Sequence, residues 1–245
     1  AKVIPALRLL AMVHNCRIFQ DKTVVEIVTQ VLQDRGITSD WFEFRLQNSY
    51  QPKEYCVQYR ETDLNFVSRL LEENGIFYFF EHTNEKHLLV FGDGPVNYQP
   101  VSGSPNVIFN LGGGLVPEEE SVYHFVLTRQ ILPGKVTLRD FNFERPKLDL
   151  TAQQNSDCFE NLEIYDYPGE YADQETGRNL AQVRLQEAIR YRDRAEGQSN
   201  CPRFIPGFSF NLTDHDSSEF NQEYVLTGVY HSGSQPQVLE ERAGD

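Results

Sequence analysis

Glu54-Tyr55-Cys56-Val57-Gln58-Tyr59-Arg60-Glu61-Thr62-Asp63-Leu64-Asn65-Phe66-Val67-Ser68-Arg69-Leu70-Leu71-Glu72-Glu73-Asn74-Gly75-Ile76-Phe77-Tyr78 holds three kinds of periodicity in one run. Tyr55, Val57 and Tyr59 alternate with Cys56, Gln58 and Arg60, the period of a strand with two distinct faces. Thr62 or Asp63 then caps a helix, along which Leu64, Val67, Leu70 and Leu71 form one apolar stripe. Asn74-Gly75 ends that helix, because glycine tolerates the left-handed backbone of a helix stop. Ile76–Glu81 and His87–Phe91 follow as two apolar runs around the polar turn Thr83-Asn84-Glu85-Lys86, which predicts a β-hairpin.

Upstream, the same grammar recurs. Thr23-Val24-Val25-Glu26 reads as a capping box, in which the Thr hydroxyl accepts an orphan backbone N–H and the Glu carboxylate reaches back. Val24, Val28, Val31 and Leu32 share one face, and Gly36 fits the stop. Residues 21–93 therefore read as a compact α+β unit, its two apolar stripes facing a core. The opening run Ala6-Leu7-Arg8-Leu9-Leu10-Ala11-Met12-Val13 is interrupted by Arg8 and reads as a buried strand rather than a signal segment. The chain starts without Met, inside an apolar run, as a fragment does.

Downstream, Gly92, Gly94, Pro95, Pro100, Gly103, Pro105, Gly112, Gly113, Gly114 and Pro117 break the pattern. They mark a boundary, or a long loop within one entwined barrel pair. Short strands are expected at Val122–Arg129, Lys135–Asn142, Phe208–Thr213 and Glu223–Tyr230, with a helix over Thr176–Arg192 whose start Gly177 weakens. This half reads as a β-barrel or sandwich with one inserted helix. The domain expectation is a remnant of a first β-barrel at 1–20, an α+β unit at 21–105 and a second β-barrel region at 106–245.

The chain has 245 residues, 40% hydrophobic and 24% charged, with 17 Phe and 12 Tyr, an ordinary globular composition rich in strand formers. Its formal net charge is −14. Such a surface repels phosphates, so a nucleic-acid partner is not expected. No stretch of 18 uncharged apolar residues occurs. Cys16, Cys56, Cys158 and Cys201 form no C-x-x-C pair and read as free, buried thiols of a reducing compartment.

No phosphate-cradling or dinucleotide-binding glycine motif is present. Gly207-Phe208-Ser209-Phe210-Asn211 lacks the last glycine of a nucleophile elbow and lies in an alternating strand. His82 and His87 flank the hairpin turn without a third ligand. Asp214-His215-Asp216 is the one tight His–carboxylate cluster and reads as a solvated polar turn, as Glu118-Glu119-Glu120 reads as a solvated charge run. Asn211-Leu212-Thr213 matches a glycosylation sequon with no secretory signal to give it meaning. The expectation is no catalytic, cofactor-binding or metal residues and no cofactor. A small hydrolase around Ser209 or around Asp214-His215-Asp216 is the least favoured alternative.

Taken together, the residues carry a family likeness. Asn15-Cys16-Arg17-Ile18-Phe19-Gln20 precedes the first helix; Val57-Gln58-Tyr59-Arg60-Glu61-Thr62-Asp63 runs on through Phe66, Arg69-Leu70, Glu72 and Gly75-Ile76 to Tyr78, Phe80 and His82. Tyr165-Asp166-Tyr167-Pro168-Gly169 and Pro206-Gly207-Phe208-Ser209-Phe210 come later. This order resembles the valine-glycine repeat protein G (VgrG) family, the spike hub of type VI secretion systems. It is similar, more distantly, to the baseplate hubs of contractile phage tails. The resemblance runs from about Ala1 to Tyr230. It implies a mixed, mainly β (α+β) fold of hub-type β-barrels with an inserted α+β unit, truncated at both ends relative to the family. It also implies a non-enzymatic machine part. Three copies would associate as a homotrimer and sit on the hexameric tube protein (Hcp), alongside baseplate and effector or adaptor proteins. Membranes would be met only by puncture, through a C-terminal needle beyond this chain. The protein would be cytoplasmic before firing, then secreted or delivered into a target cell. The alternative is the hub of a phage or phage-like tail.

Overall fold

The computed structural model describes residues 3–111 and 119–234. Gly112-Gly113-Gly114, Pro117 and Glu118, which figure in the reading above, lie outside the described residues, as does Ala1. The strands are β1 (His14–Lys22), β2 (Phe42–Arg45), β3 (Lys53–Thr62), β4 (Phe77–His82), β5 (His87–Gly92), β6 (Gln99–Pro100), β7 (Asn106–Phe109), β8 (Ser121–Arg129), β9 (Lys135–Asp140), β10 (Leu150–Asn155), β11 (Glu163–Asp166), β12 (Asp193–Ser199), β13 (Phe208–Thr213) and β14 (Glu223–Val225). The helices are α1 (Val24–Gln33), α2 (Asp63–Glu73) and α3 (Gln174–Ile189). The fold is mixed and mainly β, as expected. No described helix is long and apolar enough to cross a membrane.

The chain forms two compact units, one of Ala1–Asn97 with Val126–Glu196 and one of Tyr98–Phe125 with Gly197–Asp245. These do not follow the divisions at residues 20 and 105 drawn from the sequence. Glycine and proline density reports local breaks, whereas compactness is set by pairing between distant segments. The pairing joins β12 to β8 across the intervening chain.

In the first unit, the Thr23 hydroxyl accepts from the Glu26 N–H and the Glu26 carboxylate accepts from the Thr23 N–H, the reciprocal cap read from the sequence. Thr62 rather than Asp63 caps α2, accepting from the Asn65 N–H at 3.0 Å. Val24, Ile27, Val28, Val31 and Leu32 of α1 and Phe66, Val67, Leu70 and Leu71 of α2 are buried together. Each such side chain contributes about 1.5–3 kcal/mol by leaving water. Phe19 of β1 stacks on Phe66 at 5.5 Å between centroids. β1 and β3 pair antiparallel, and a second sheet runs β2-β5-β4. Its β4–β5 hairpin sets His82 opposite His87, as the alternating runs predict.

The segment Ala6–Met12 is a 3₁₀ helix, not the expected buried strand. Pro5 enters it extended, at ψ 148°, and Leu7 and Leu10 then fall on one side of a three-residue turn and are buried. The apolar run was real; its period was three.

A separate core in the same unit lies where α3 packs on the sheet β10-β9-β11. Its centre is Tyr171, whose hydroxyl donates to the carbonyls of Leu138 (3.0 Å) and Leu150. Gly169 and Gly177 flank the ring: a Cβ on either would stand 2.3 Å and 2.4 Å from it. Gly177 thus weakens the helix start for a packing reason. α3 begins at Gln174 because the Asp173 carboxylate caps it, accepting from the Glu175 and Thr176 N–H groups at 2.9 Å. β9 stops at Asp140, short of the expected Asn142, since the Asp140 carboxylate takes the Phe141 N–H and turns the chain.

The strands of the second unit belong to a sheet of order β12-β8-β7-β13-β14, with β6 also on β13. Val101, Val107, Val122, Phe204, Phe210 and Leu212 form its core. Arg203 fastens the flanking loops, donating to Glu120 at 2.7 Å and to the carbonyls of Ser104 and Ser102. β14 ends at Val225, five residues short of the expectation.

Candidate functional site

The sequence named three places where chemistry was conceivable, Ser209, His82 with His87, and Asp214-His215-Asp216. Ser209 is 2% exposed, within β13. Its carbonyl accepts from the Val101 N–H, and its strand offers no elbow for a nucleophile. His215 is held as a packing residue. Its ring lies 4.2 Å from Phe109 and 4.7 Å from Phe220, and its Nδ1 accepts from the Ser217 N–H at 3.0 Å. Asn221 accepts from the His215 N–H and donates to its carbonyl, so the whole turn is tied to itself. Asp214 and Asp216 are exposed, and the Asp214 carboxylate accepts from the Thr213 hydroxyl at 3.2 Å. His87 accepts from the Ala6 N–H at 3.4 Å and its ring lies 5.4 Å from Trp41. Among the described residues no three His, Cys, Asp or Glu side chains converge as a metal site. All four cysteines are free, but only Cys56 and Cys201 are buried; Cys16 and Cys158 are exposed. The strand alternation that hides Cys56 turns Cys16 outward, since the two sit on opposite faces of the β1–β3 ribbon. Burial pushes the Cys56 and Cys201 thiols up from their ordinary pKa.

Two features that sequence reasoning missed stand out. The first is a buried ionic knot. Asp63, fully buried, accepts from Arg17 (2.9 Å), Arg35 (2.7 Å) and Gln58 (2.8 Å). Arg17 also donates to Gln58 at 2.7 Å and to Asp34 at 2.8 Å. One carboxylate therefore ties β1, β3, the end of α1 and the start of α2. Gln58 is five residues away, but Arg17 and Arg35 sit 46 and 28 residues away, and so no local spacing announces the knot.

The second is a groove of about 830 Å³ on the face of the β10-β9-β11 sheet opposite α3. Register places Arg139, Thr151 and Tyr165 on this face, because Val136, Leu138 and Ala152 occupy the other. Phe141, Pro146, Lys147 and Tyr167 complete the wall. All four residues of β11 are exposed, Tyr165 at 57%, and the following Tyr167 is 56% exposed. The carboxylates here are already engaged. Asp140 accepts from the Glu170 and Tyr171 N–H groups, and Asp149 accepts from the Thr151 N–H at 3.0 Å. Hydrogen bonds from Thr151, with Arg139 nearby, hold the Asp149 carboxyl below its usual range. Arg139 and Lys147 make no ion pair among the described residues. The groove is thus walled by aromatic rings, two cations and two hydrogen-bonded carboxylates.

A family profile described as phage tail baseplate hub (GPD) matches residues 1–237. The chain belongs to that family. It is 40% identical over 243 residues to the type VI secretion system spike protein VgrG4b of Pseudomonas aeruginosa, a match covering 98% of this chain and 30% of that one. It is 35% identical over 248 residues to the actin cross-linking toxin VgrG1 of Vibrio cholerae, covering 99% of this chain and 22% of that one. The chain therefore spans a third or less of these relatives. A solved Escherichia coli component of the type VI secretion system, described as structurally similar to bacteriophage T4 tail proteins gp27 and gp5, superposes with a TM-score of 0.64. That likeness covers 90% of this chain and 47% of the other at 21% identity, and it speaks for the fold.

Proposed function

We propose that this chain is a structural part of a type VI spike hub. Three copies associate, cap a hexameric tube protein and support a puncturing needle carried elsewhere in the complete protein. Baseplate and effector or adaptor proteins are its further partners. It works from the cytoplasm and leaves with the spike on firing. The observation that carries this reading is the 40% identity to a VgrG spike protein across 98% of the chain. Physical support comes from stiffness: hydrogen-bonded strands and close-packed aromatic cores transmit force rather than absorb it. A trimer whose chains each carry two alike barrels would match a sixfold ring by symmetry. The −14 charge keeps an exposed, self-associating part soluble.

The test is the size of the full-length protein by light scattering, followed by electron microscopy with its tube partner. A trimer seated on a sixfold ring is expected. A strict monomer with no affinity for the tube would end the reading. The second reading is the hub of a phage or phage-like tail, favoured by the family description. Secretion ATPase and membrane-complex genes beside this one favour the first reading; capsid genes favour the second. The cross-linking activity named for the Vibrio relative belongs to a protein of which this chain spans 22%. The role proposed here is non-enzymatic.

A further inference from the structure

We infer that the aromatic and cationic groove on the β10-β9-β11 sheet is a docking site for the acidic segment 214–223 of a second copy of this chain. The inference rests on the self-association proposed above and names the surfaces that would carry it.

The first ground is unspent charge. Along β9 and the turn after it, Arg139, Arg145 and Lys147 are all exposed, and none makes an ion pair among the described residues. Other cations of the chain are closely paired, Arg17, Arg45, Arg69, Arg192 and Arg203 among them. Three free cations in nine residues are an excess in a chain of net charge −14. The groove's own carboxylates, Asp140 and Asp149, are oriented by backbone N–H donors of the chain itself, which leaves Arg145 and Lys147 as the cations with no carboxylate fixed beside them.

The second ground is complementarity. Residues 214–223 carry Asp214, Asp216, Glu219 and Glu223 and no Lys or Arg. All four are exposed, and Asp214, Asp216 and Glu223 make no ion pair among the described residues. The segment is pre-shaped by the His215–Asn221 hydrogen bonds, so little ordering is needed on docking. The third ground is the sheet itself. β11 exposes every residue, and Tyr165 and Tyr167 offer rigid, amphipathic rings of the kind that anchor interfaces. A groove and a loop are unlike patches. Unlike patches on identical chains meet head to tail, and such contacts close into rings when the rotation permits.

The test is a charge swap read by sedimentation velocity of the full-length protein. Arg139→Glu with Lys147→Glu reverses the groove; Asp216→Lys with Glu223→Lys reverses the segment. Each pair alone is expected to weaken self-association at least about tenfold, and wild-type association is expected to weaken between ~50 and ~500 mM salt. The chain carrying all four substitutions is expected to recover association. All the substituted residues are exposed, and melting curves within about 2 °C of wild type verify folding. Where a reversal disturbs the fold, Lys147→Gln replaces it, with a smaller loss expected. Association that ignores both reversals overturns the groove assignment and leaves self-assembly standing. Loss in both variants without recovery in the fourfold variant also overturns it. A full-length protein that is monomeric at every salt concentration overturns this inference together with the trimeric reading.

Discussion

Asp63 is the place where a one-atom change has the largest consequence for folding. Replacing it by Asn keeps the volume and removes the charge that Arg17 and Arg35 share. Their side chains are only 17% and 26% exposed, so neither reaches water fully once the carboxylate is gone. Breaking a buried ion pair by removing one partner costs about 3–5 kcal/mol. Partial exposure of the two guanidinium groups, and the Asn oxygen that still accepts one bond, place Asp63→Asn at the lower end, about 3 kcal/mol. Asp34, 43% exposed and bound only to Arg17, is the internal control. Asp34→Asn is expected to cost less than about 1 kcal/mol. Urea titration followed by circular dichroism measures both. The knot joins both helices to both strands of the ribbon, so the loss appears as a shift of the midpoint of the first unit's transition. If Asp63→Asn lies within about 1 kcal/mol of wild type, the knot is not what holds these elements together.

Three further outcomes are expected. Gly177→Ala, ordinarily a gain of about 1 kcal/mol in a helix, is expected instead to destabilise by about 1–3 kcal/mol, because its Cβ would stand 2.4 Å from the Tyr171 ring; thermal melting decides the sign. A disulfide-exchange reagent is expected to label Cys16 and Cys158 promptly and Cys56 and Cys201 only on unfolding, as peptide mass spectrometry will resolve. Stability is expected to fall on acidification below about pH 4. Glu120 and Asp173 have folded pKa values lowered, the first by Arg203 and the second by the Thr176 N–H. The folded state thus binds fewer protons than the unfolded state in that range. The stabilisation is complete above the unfolded pKa and disappears as pH drops through the folded one. A flat melting temperature between about pH 6 and 3 contradicts this.

The parts of the fold that were legible in the sequence are those governed by neighbours. The Thr23 and Thr62 caps, the α1 and α2 stripes and the β4–β5 hairpin each depend on residues within four positions. The same holds for the strand Phe208–Thr213, whose bounds match. Elements that depend on distant partners were silent. β11 has no buried residue and so no alternation; β10 and β12 are rich in Gln, Asn, Arg and Glu and were not among the expected strands. His215 read as part of a solvated polar turn, because two of the rings it packs on, Phe109 and Phe125, lie some ninety residues or more away. The groove was equally hidden: Arg139 and Tyr165 become neighbours only through the parallel register of β9 and β11.

β8 and β12 lie side by side in one sheet, and the chain departs at Arg129 and returns at Asp193, whose side chains pair at 3.1 Å. Just beyond, the Gln130 N–H donates to the Arg192 carbonyl at 2.8 Å. Exit and re-entry therefore share a doorstep. Everything from Ile131 to Tyr191 is, topologically, a cassette on a closed stem. Lengthening or replacing such a cassette adds only a logarithmic penalty in chain entropy. A change of length there leaves the register of the strands that frame it undisturbed.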